Sequence, residues 1–169
     1  MKRSVLLAAF LACLFAVSAQ QQQAPYTFGI GLRAGSQSST CGVTFKGFVH
    51  RLIALEAQVG WANSAPAGTL LLEQHFSLMR YHMLHGYVGL GGHYTHRSGY
   101  SNYTDLRSGT TVYIDGGSAY GVDAIAGIEF TFTDFPVSIS LDLKPMLEFN
   151  QQSSYEFLVD KSIGVKFVF

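Results

Sequence analysis

Tyr155-Glu156-Phe157-Leu158-Val159-Asp160-Lys161-Ser162-Ile163-Gly164-Val165-Lys166-Phe167-Val168-Phe169 closes the 169-residue sequence. Odd positions carry Tyr, Phe, Val, Lys, Ile, Val, Phe and Phe; even positions carry Glu, Leu, Asp, Ser, Gly, Lys and Val. Successive side chains of a strand point to opposite faces, so the stretch predicts a strand with one apolar and one polar face. Chain ends fray unless a sheet holds them, and this apolar face runs to the last residue. A closed barrel in a membrane needs its last strand paired to its first. The stretch is therefore expected to close a transmembrane β-barrel.

The same alternation recurs upstream. Apolar faces are carried by Phe28, Ile30, Leu32 and Ala34 in a first strand (Thr27–Ala34), and by Cys41, Val43 and Phe45 in a second (Thr40–Phe48). A third strand has Ile53, Leu55, Ala57, Val59 and Trp61, and a fourth Leu70, Leu72, Gln74, Phe76 and Leu78. Leu84, Val88, Leu90 and Tyr94 mark a fifth, Tyr120 to Phe132 a sixth and Val137 to Phe149 a seventh. Gln74 interrupts the apolar face of the fourth. Pro145 lacks an N–H for the ladder of the seventh, so a bulge or local break is expected there. Short turns are predicted at His50-Arg51, Arg80–Met83 and Thr133–Pro136, and small polar loops at Gly35–Ser39, Asn63–Gly68 and Asn150–Ser154. The one long loop is Arg97–Ser118, in which Thr110–Ile114 is suited to a hairpin. The prediction is an all-β, eight-stranded, antiparallel up-and-down barrel. Short turns at one end and longer loops at the other suit an outer-membrane barrel.

Met1 to Ala19 reads as a secretory signal peptide: Lys2 and Arg3, an apolar run Val5–Val17, and a small-residue cleavage site at Val17-Ser18-Ala19. The run is too short for a spanning helix, which needs about 20 residues. Cys13 falls too early in it for a lipoprotein signal. Gln20–Pro25 is a polar leader, and residues 26–169 form one barrel domain. The mature chain is expected to have 169 − 19 = 150 residues, with 9 basic and 11 acidic side chains once Lys2 and Arg3 are removed. No basic stripe points to nucleic acid. Cys41 is the one remaining cysteine and reads as a small apolar residue. The chain has 18 Gly and 13 Phe, 9 Tyr and 1 Trp, yet no long apolar run after Val17, a composition that favours strands over spanning helices.

A soluble lipocalin-like carrier of an apolar ligand would show the same alternation with the apolar face turned inward. Three features favour the opposite orientation. Gly29, Gly31, Gly42, Gly60, Gly89, Gly91, Gly121, Gly127 and Gly164 lie on the polar face, where backbones crowd a narrow lumen. Trp61, Tyr94, Tyr120, Phe149 and Tyr155 fall at one end of the apolar band, and Phe28, Phe130, Phe132, Phe167 and Phe169 at the other, as bilayer interfaces favour. The polar face also holds Arg33, Lys46, Lys144 and Lys166 with Glu56, Glu73, Asp123, Glu129, Asp142, Glu148 and Asp160. Lys161 stands alone on the apolar face, placed to snorkel to head-group phosphates.

The Gly-rich alternating strands, the segment Ser138-Ile139-Ser140-Leu141-Asp142-Leu143-Lys144-Pro145 and the terminal Val165-Lys166-Phe167-Val168-Phe169 resemble small outer-membrane β-barrel proteins of the OmpA/OmpX-like group in Gram-negative bacteria. The resemblance covers nearly the whole mature chain. It implies a monomeric multi-pass cell-outer-membrane protein, in contact with outer-membrane lipid and lipopolysaccharide. It implies recognition of the Phe169 strand by the barrel-assembly machinery. No peptidoglycan-binding domain is expected after Phe169, so the anchoring role of OmpA is not expected to carry over.

Chemistry is sparse in this sequence. An eight-stranded lumen has room for side chains only, so no open pore is expected. The charged interior, with His75, His85 and His93, suits a salt-bridged core that sets register better than ion or proton passage. A lipid A-modifying enzyme would need a Ser-His-acid set, and His96 with Ser98 is the nearest pair, without a clear third member. His82 and His85, like His93 and His96, are three apart and would point to opposite faces, so no metal site is expected. No catalytic residue or cofactor is assigned. Asn102-Tyr103-Thr104 matches a glycosylation sequon that carries no information in a bacterial outer membrane. Tyr100, Tyr103 and Tyr113, among Ser, Gly and Asn, make the 97–118 loop the candidate site for a surface ligand. The expected role is structural or surface interaction: adhesion, envelope integrity or host contact.

Overall fold

A period of two leaves open how the strands close; in the structure, a computed structural model, they form a complete ring. Residues 24–36, 41–62, 65–78, 83–96, 101–104, 111–114, 118–150 and 155–169 are described. Eight strands build the barrel: β1 (Phe28–Gly35), β2 (Cys41–His50), β3 (Ile53–Ala62), β4 (Ala65–Ser77), β5 (Leu84–His96), β8 (Ser118–Thr131), β9 (Val137–Asn150) and β10 (Tyr155–Val168). Between β5 and β8, β6 (Ser101–Thr104) and β7 (Thr111–Ile114) form a separate hairpin. Each barrel strand pairs antiparallel with its neighbours, and β1 meets β10 to close the ring. The seam is tight: Thr27 N donates to Phe169 O at 2.8 Å and Phe169 N to Phe28 O at 2.8 Å.

The pairing winds around the barrel. A row of partners leaves β10 at Val165, passes Leu32, Val59 and Tyr94, and returns to β10 at Tyr155, ten residues along the same strand (165 − 155 = 10). Such a stagger tilts the strands, typically by about 35–45°.

The faces are inverted relative to a soluble barrel. Lys46, Lys144 and Asp160 are fully buried, whereas Leu90 is 71% and Leu32 69% exposed. A carrier of lipocalin type would line its lumen with the apolar set, so this distribution excludes that alternative. A wall of Leu, Val and Ile facing outward is stable only in hydrocarbon, and a closed ring leaves no unpaired edge there. The fold is therefore that of a transmembrane β-barrel. Exposed Phe28, Phe167 and Phe169 crowd the rim at the β1–β10 seam, called here the lower rim, and exposed Phe132 follows β8 at the β8–β9 turn. Trp61, Tyr94, Tyr120 and Phe149 lie toward the opposite, upper rim, with Tyr120 and Phe149 rings 6.0 Å apart.

Several expected boundaries shift. Asn63–Gly68 is not a loop throughout: β4 begins at Ala65, and Pro66 pairs with Trp61. Proline is tolerated at the start of a strand, where one missing donor breaks no continuous ladder. β2 continues to His50, with a register shift between Phe48 and His50. Pro145 causes no register shift. Its pairing with Val159 on β10 is intact, while the ladder to β8 skips from Asp123–Met146 to Ala126–Leu143. The missing N–H thus produces a local break without a bulge. Gln74 keeps its outward position, and Nε2 donates to the backbone oxygens of His75 (3.0 Å) and Leu52 (3.4 Å), which removes its polar group from the wall. The expected signal peptide, residues 1–19, lies outside the described residues.

Candidate functional site

Glycine makes room for the charged interior. Gly42 and Gly60 face each other on β2 and β3, and a Cβ on either would press within 3 Å of the other's Cα. Gly127 on β8 sits where a Cβ would strike Tyr87 and Asp142, each at 2.6 Å. Long polar side chains therefore extend across the space their glycine neighbours leave.

Among the described residues, three ionic groups occupy the lumen. In the first, Lys46 Nζ lies 2.8 Å from Glu56, 2.7 Å from Glu73 and 3.2 Å from Glu129. Lys166 adds a second cation, 3.1 Å from Glu129. Glu56 also accepts from Thr44 (2.9 Å) and Gln58 (2.7 Å). Lys46 lies 4.4 Å over the Tyr87 ring, which also stacks on His75. His75 Nε2 is 3.0 Å from Glu73. In the second group, Arg33 holds Asp142 through both terminal nitrogens, and Asp142 also accepts from Tyr87 Oη (3.0 Å) and Ser162 Oγ (2.6 Å). In the third, His93 Nδ1 meets Asp123 at 2.6 Å, with Glu148 3.6 Å from Nε2. Lys144 Nζ donates to Gln58 at 3.4 Å. Leu71, Tyr87 and Ile125, on β4, β5 and β8, form a small buried apolar cluster on the inner wall.

Tyr26 caps the lower mouth. It is buried, its hydroxyl donates to Glu129 at 2.6 Å, and its ring meets Phe48 edge-on at 5.1 Å. Burial, reinforced by the Glu129 carboxylate, pushes this phenol well above its ordinary range. Sequence reasoning gives Tyr26 no role, because it precedes the first periodic residue; a bulky aromatic next to Pro25 was the only signal.

One of the two histidine pairs, His93 and His96, behaves as its spacing implies. His93 is buried and His96 exposed, on opposite faces of β5. His85 is buried, and His82 lies outside the described residues. No group of three or more metal-ligating side chains occurs among the described residues. Ser98 lies outside the described residues as well. The His96 ring instead meets Ser118 Oγ at 3.1 Å, and Tyr94 Oη shares that hydroxyl at 2.7 Å. Among the described residues no carboxylate bonds to His96. In the 97–118 segment, Tyr103 pairs with Val112 and Tyr113 with Asn102 across the β6–β7 hairpin; Tyr100 is outside the described residues.

A closed antiparallel ring with an apolar exterior and a buried ionic interior defines a small transmembrane β-barrel. No protein-family model matches the chain, and no curated protein matches it. Among solved structures the chain is similar to the crystal structure of the N-terminal β-barrel domain of Pseudomonas aeruginosa OprF. The TM-score is 0.59 at 17% identity, covering 88% of this chain and 100% of that chain. At that identity the likeness concerns the fold alone, a closed antiparallel β-barrel.

Proposed function

We propose that the chain is an integral outer-membrane protein of a Gram-negative envelope. In this reading its lumen is filled by its own side chains, and its role is structural or surface interaction through the loops outside. The observation that carries the reading is the contrast between Lys46, 0% exposed inside, and Leu90, 71% exposed outside. The lower rim faces the periplasm and the β6–β7 hairpin faces the exterior, because barrels of this class keep short turns inside and long loops outside. The interlocked charges act as a register-setting core rather than a conduction path. The Tyr-, Ser- and Gly-rich 97–118 loop suits adaptable contact with a surface ligand, in adhesion, envelope integrity or host contact. Exposed Phe167 and Phe169 support recognition of β10 by the barrel-assembly machinery. The reading involves a monomer and no catalytic step.

Comparing boiled and unboiled protein on a detergent gel tests it. A folded membrane barrel resists the detergent and changes apparent size only on heating. Planar-bilayer recording supplies the second arm, where the filled lumen predicts no stable open channel. Protein soluble in plain buffer with no heat shift would overturn the membrane reading, and a persistent open conductance would overturn the filled lumen.

A further inference from the structure

The outer wall of the barrel is not uniform. Across β8, β9 and β10 the pairings Ala126–Leu143–Lys161 and Ile128–Leu141–Ile163 lie one above the other. A shallow, open groove of about 500 Å³ runs over them, with Ala126, Ile128, Leu141, Leu143 and Lys161 among its lining residues. Among the described outward-facing strand residues Lys161 is the only one with a full charge, and it has no ion-pair partner among the described residues.

Its height follows from the register. Lys161 is eight residues from Phe169 along β10 (169 − 161 = 8). At about 3.3 Å per residue and a tilt of about 40°, that is roughly 20 Å above the lower rim. The apolar band of such a barrel is about 25 Å tall. The tilt of the pairing rows agrees: the Lys161 row starts at Ile53, just after the lower β2–β3 turn, and reaches Ser36, past the upper end of β1. A flexible lysine stem spans the remaining distance, so the ammonium meets the upper head-group layer while the groove below it descends into hydrocarbon.

We infer that this groove is a binding site for a phosphorylated glycolipid of the outer leaflet, of lipid A class. Its phosphate sits on Lys161 and an acyl chain lies along Ala126, Leu141 and Leu143. The inference rests on the outer-membrane reading above. Charge complementarity selects the occupant. A second copy of the chain would bring no carboxylate to this face, because none of the described outward-facing strand residues is acidic. A neutral lipid would leave the one charge of the wall without a counter-ion.

The test folds the protein in dodecyl maltoside micelles with purified lipid A, removes the excess by gel filtration, and counts retained lipid by native mass spectrometry. Parallel samples use phosphatidylcholine and phosphatidylglycerol. The wild type is expected to retain one lipid A per chain, and Lys161→Gln about fivefold less, the worth of one lysine near an anionic surface. Ala126→Phe, which fills the groove and keeps the charge, is expected to lose lipid A similarly. Equal retention by wild type and Lys161→Gln, equal retention of either phospholipid, or a lipid-free dimer would overturn the site. Both variants replace exposed side chains, so both should keep the heat shift on gels. Its absence from the wild type would instead overturn the membrane reading itself.

Discussion

Arg33 on β1 grips Asp142 on β9 over the intervening β10, Nη2 to Oδ1 at 2.7 Å and Nη1 to Oδ2 at 3.0 Å, between residues 109 positions apart in the chain. Neither strand neighbours the other in the ring. Removing one partner of such a buried pair strands the other charge. Arg33→Ala is expected to cost about 3–5 kcal/mol. Arg33→Lys should cost less, because it keeps the charge and loses only the two-pronged geometry. Urea unfolding in micelles, followed by Trp61 fluorescence, measures both. Equal midpoints for Arg33→Ala and wild type would show that the pair does not hold β1 to β9.

Lys46 faces three carboxylates within 3.2 Å. Lys46→Met leaves Glu56 and Glu129 to Lys166 and Glu73 beside His75, and the expected loss is again about 3–5 kcal/mol. The folded gel band should convert at a clearly lower temperature. Adding Glu73→Gln to Lys46→Met should recover part of the loss, since one uncompensated charge is then removed. No recovery would mean that the loss comes from packing against Tyr87.

Tyr26 gives a pH dependence with a definite sign. Its folded phenol is held neutral above the ordinary range, whereas an unfolded phenol ionises near about pH 10. The stabilisation is complete below that value and is lost as pH rises through it, because only the unfolded state gives up its proton. Between about pH 8 and about pH 11, wild type should therefore lose stability faster than Tyr26→Phe. Below about pH 8, Tyr26→Phe should be the weaker by about 1–3 kcal/mol, from the bond removed at buried Glu129. Parallel pH curves for the two proteins would refute the assignment.

Gly127 and Gly68 differ in what a methyl group would meet. At Gly127 it overlaps Tyr87 and Asp142 at 2.6 Å, while at Gly68 the nearest atom is the Gln58 carbonyl at 4.0 Å. Gly127→Ala should lower the yield of heat-modifiable barrel, and Gly68→Ala should leave it unchanged. Refolding into micelles, scored on gels, separates the two. Equal yields would show that the lumen repacks freely.

Leu90 tests the outward wall. It lies well inside the apolar band, and a lysine there should cost about 2–4 kcal/mol in a bilayer. Leu90→Lys should refold into vesicles far less completely than wild type. Undiminished insertion would contradict a hydrocarbon contact at this position.

The eight barrel strands, their two faces and most of their ends are legible in the sequence because each rests on local periodicity. Tyr155 to Phe169 shows this most plainly, every second residue except Lys161 being apolar or aromatic. The outward sense of the apolar face is legible too, from the charge and glycine gathered on the other face. One boundary misleads for a local reason. Pro66 looks like loop because proline breaks ladders, yet near a strand end nothing is broken. Tyr26 falls inside the expected barrel domain but shows no role in the sequence, because it precedes the alternation; only the fold brings its hydroxyl to Glu129.

Which base meets which acid is decided only by the tertiary structure. Period two assigns Arg33, Lys46, Asp142 and Glu129 to the interior but says nothing of their heights or of the ring order. Those depend on the ten-residue stagger with which the rows return to β10, a property of the closed ring. The lysine-bearing groove on the outer wall has the same origin. Ala126, Leu143 and Lys161 come from three separate strands, and only the pairing registers bring them into one row. Alternation along a strand is local chemistry; alignment between strands is set by closure, in which every register must agree with all the others at once.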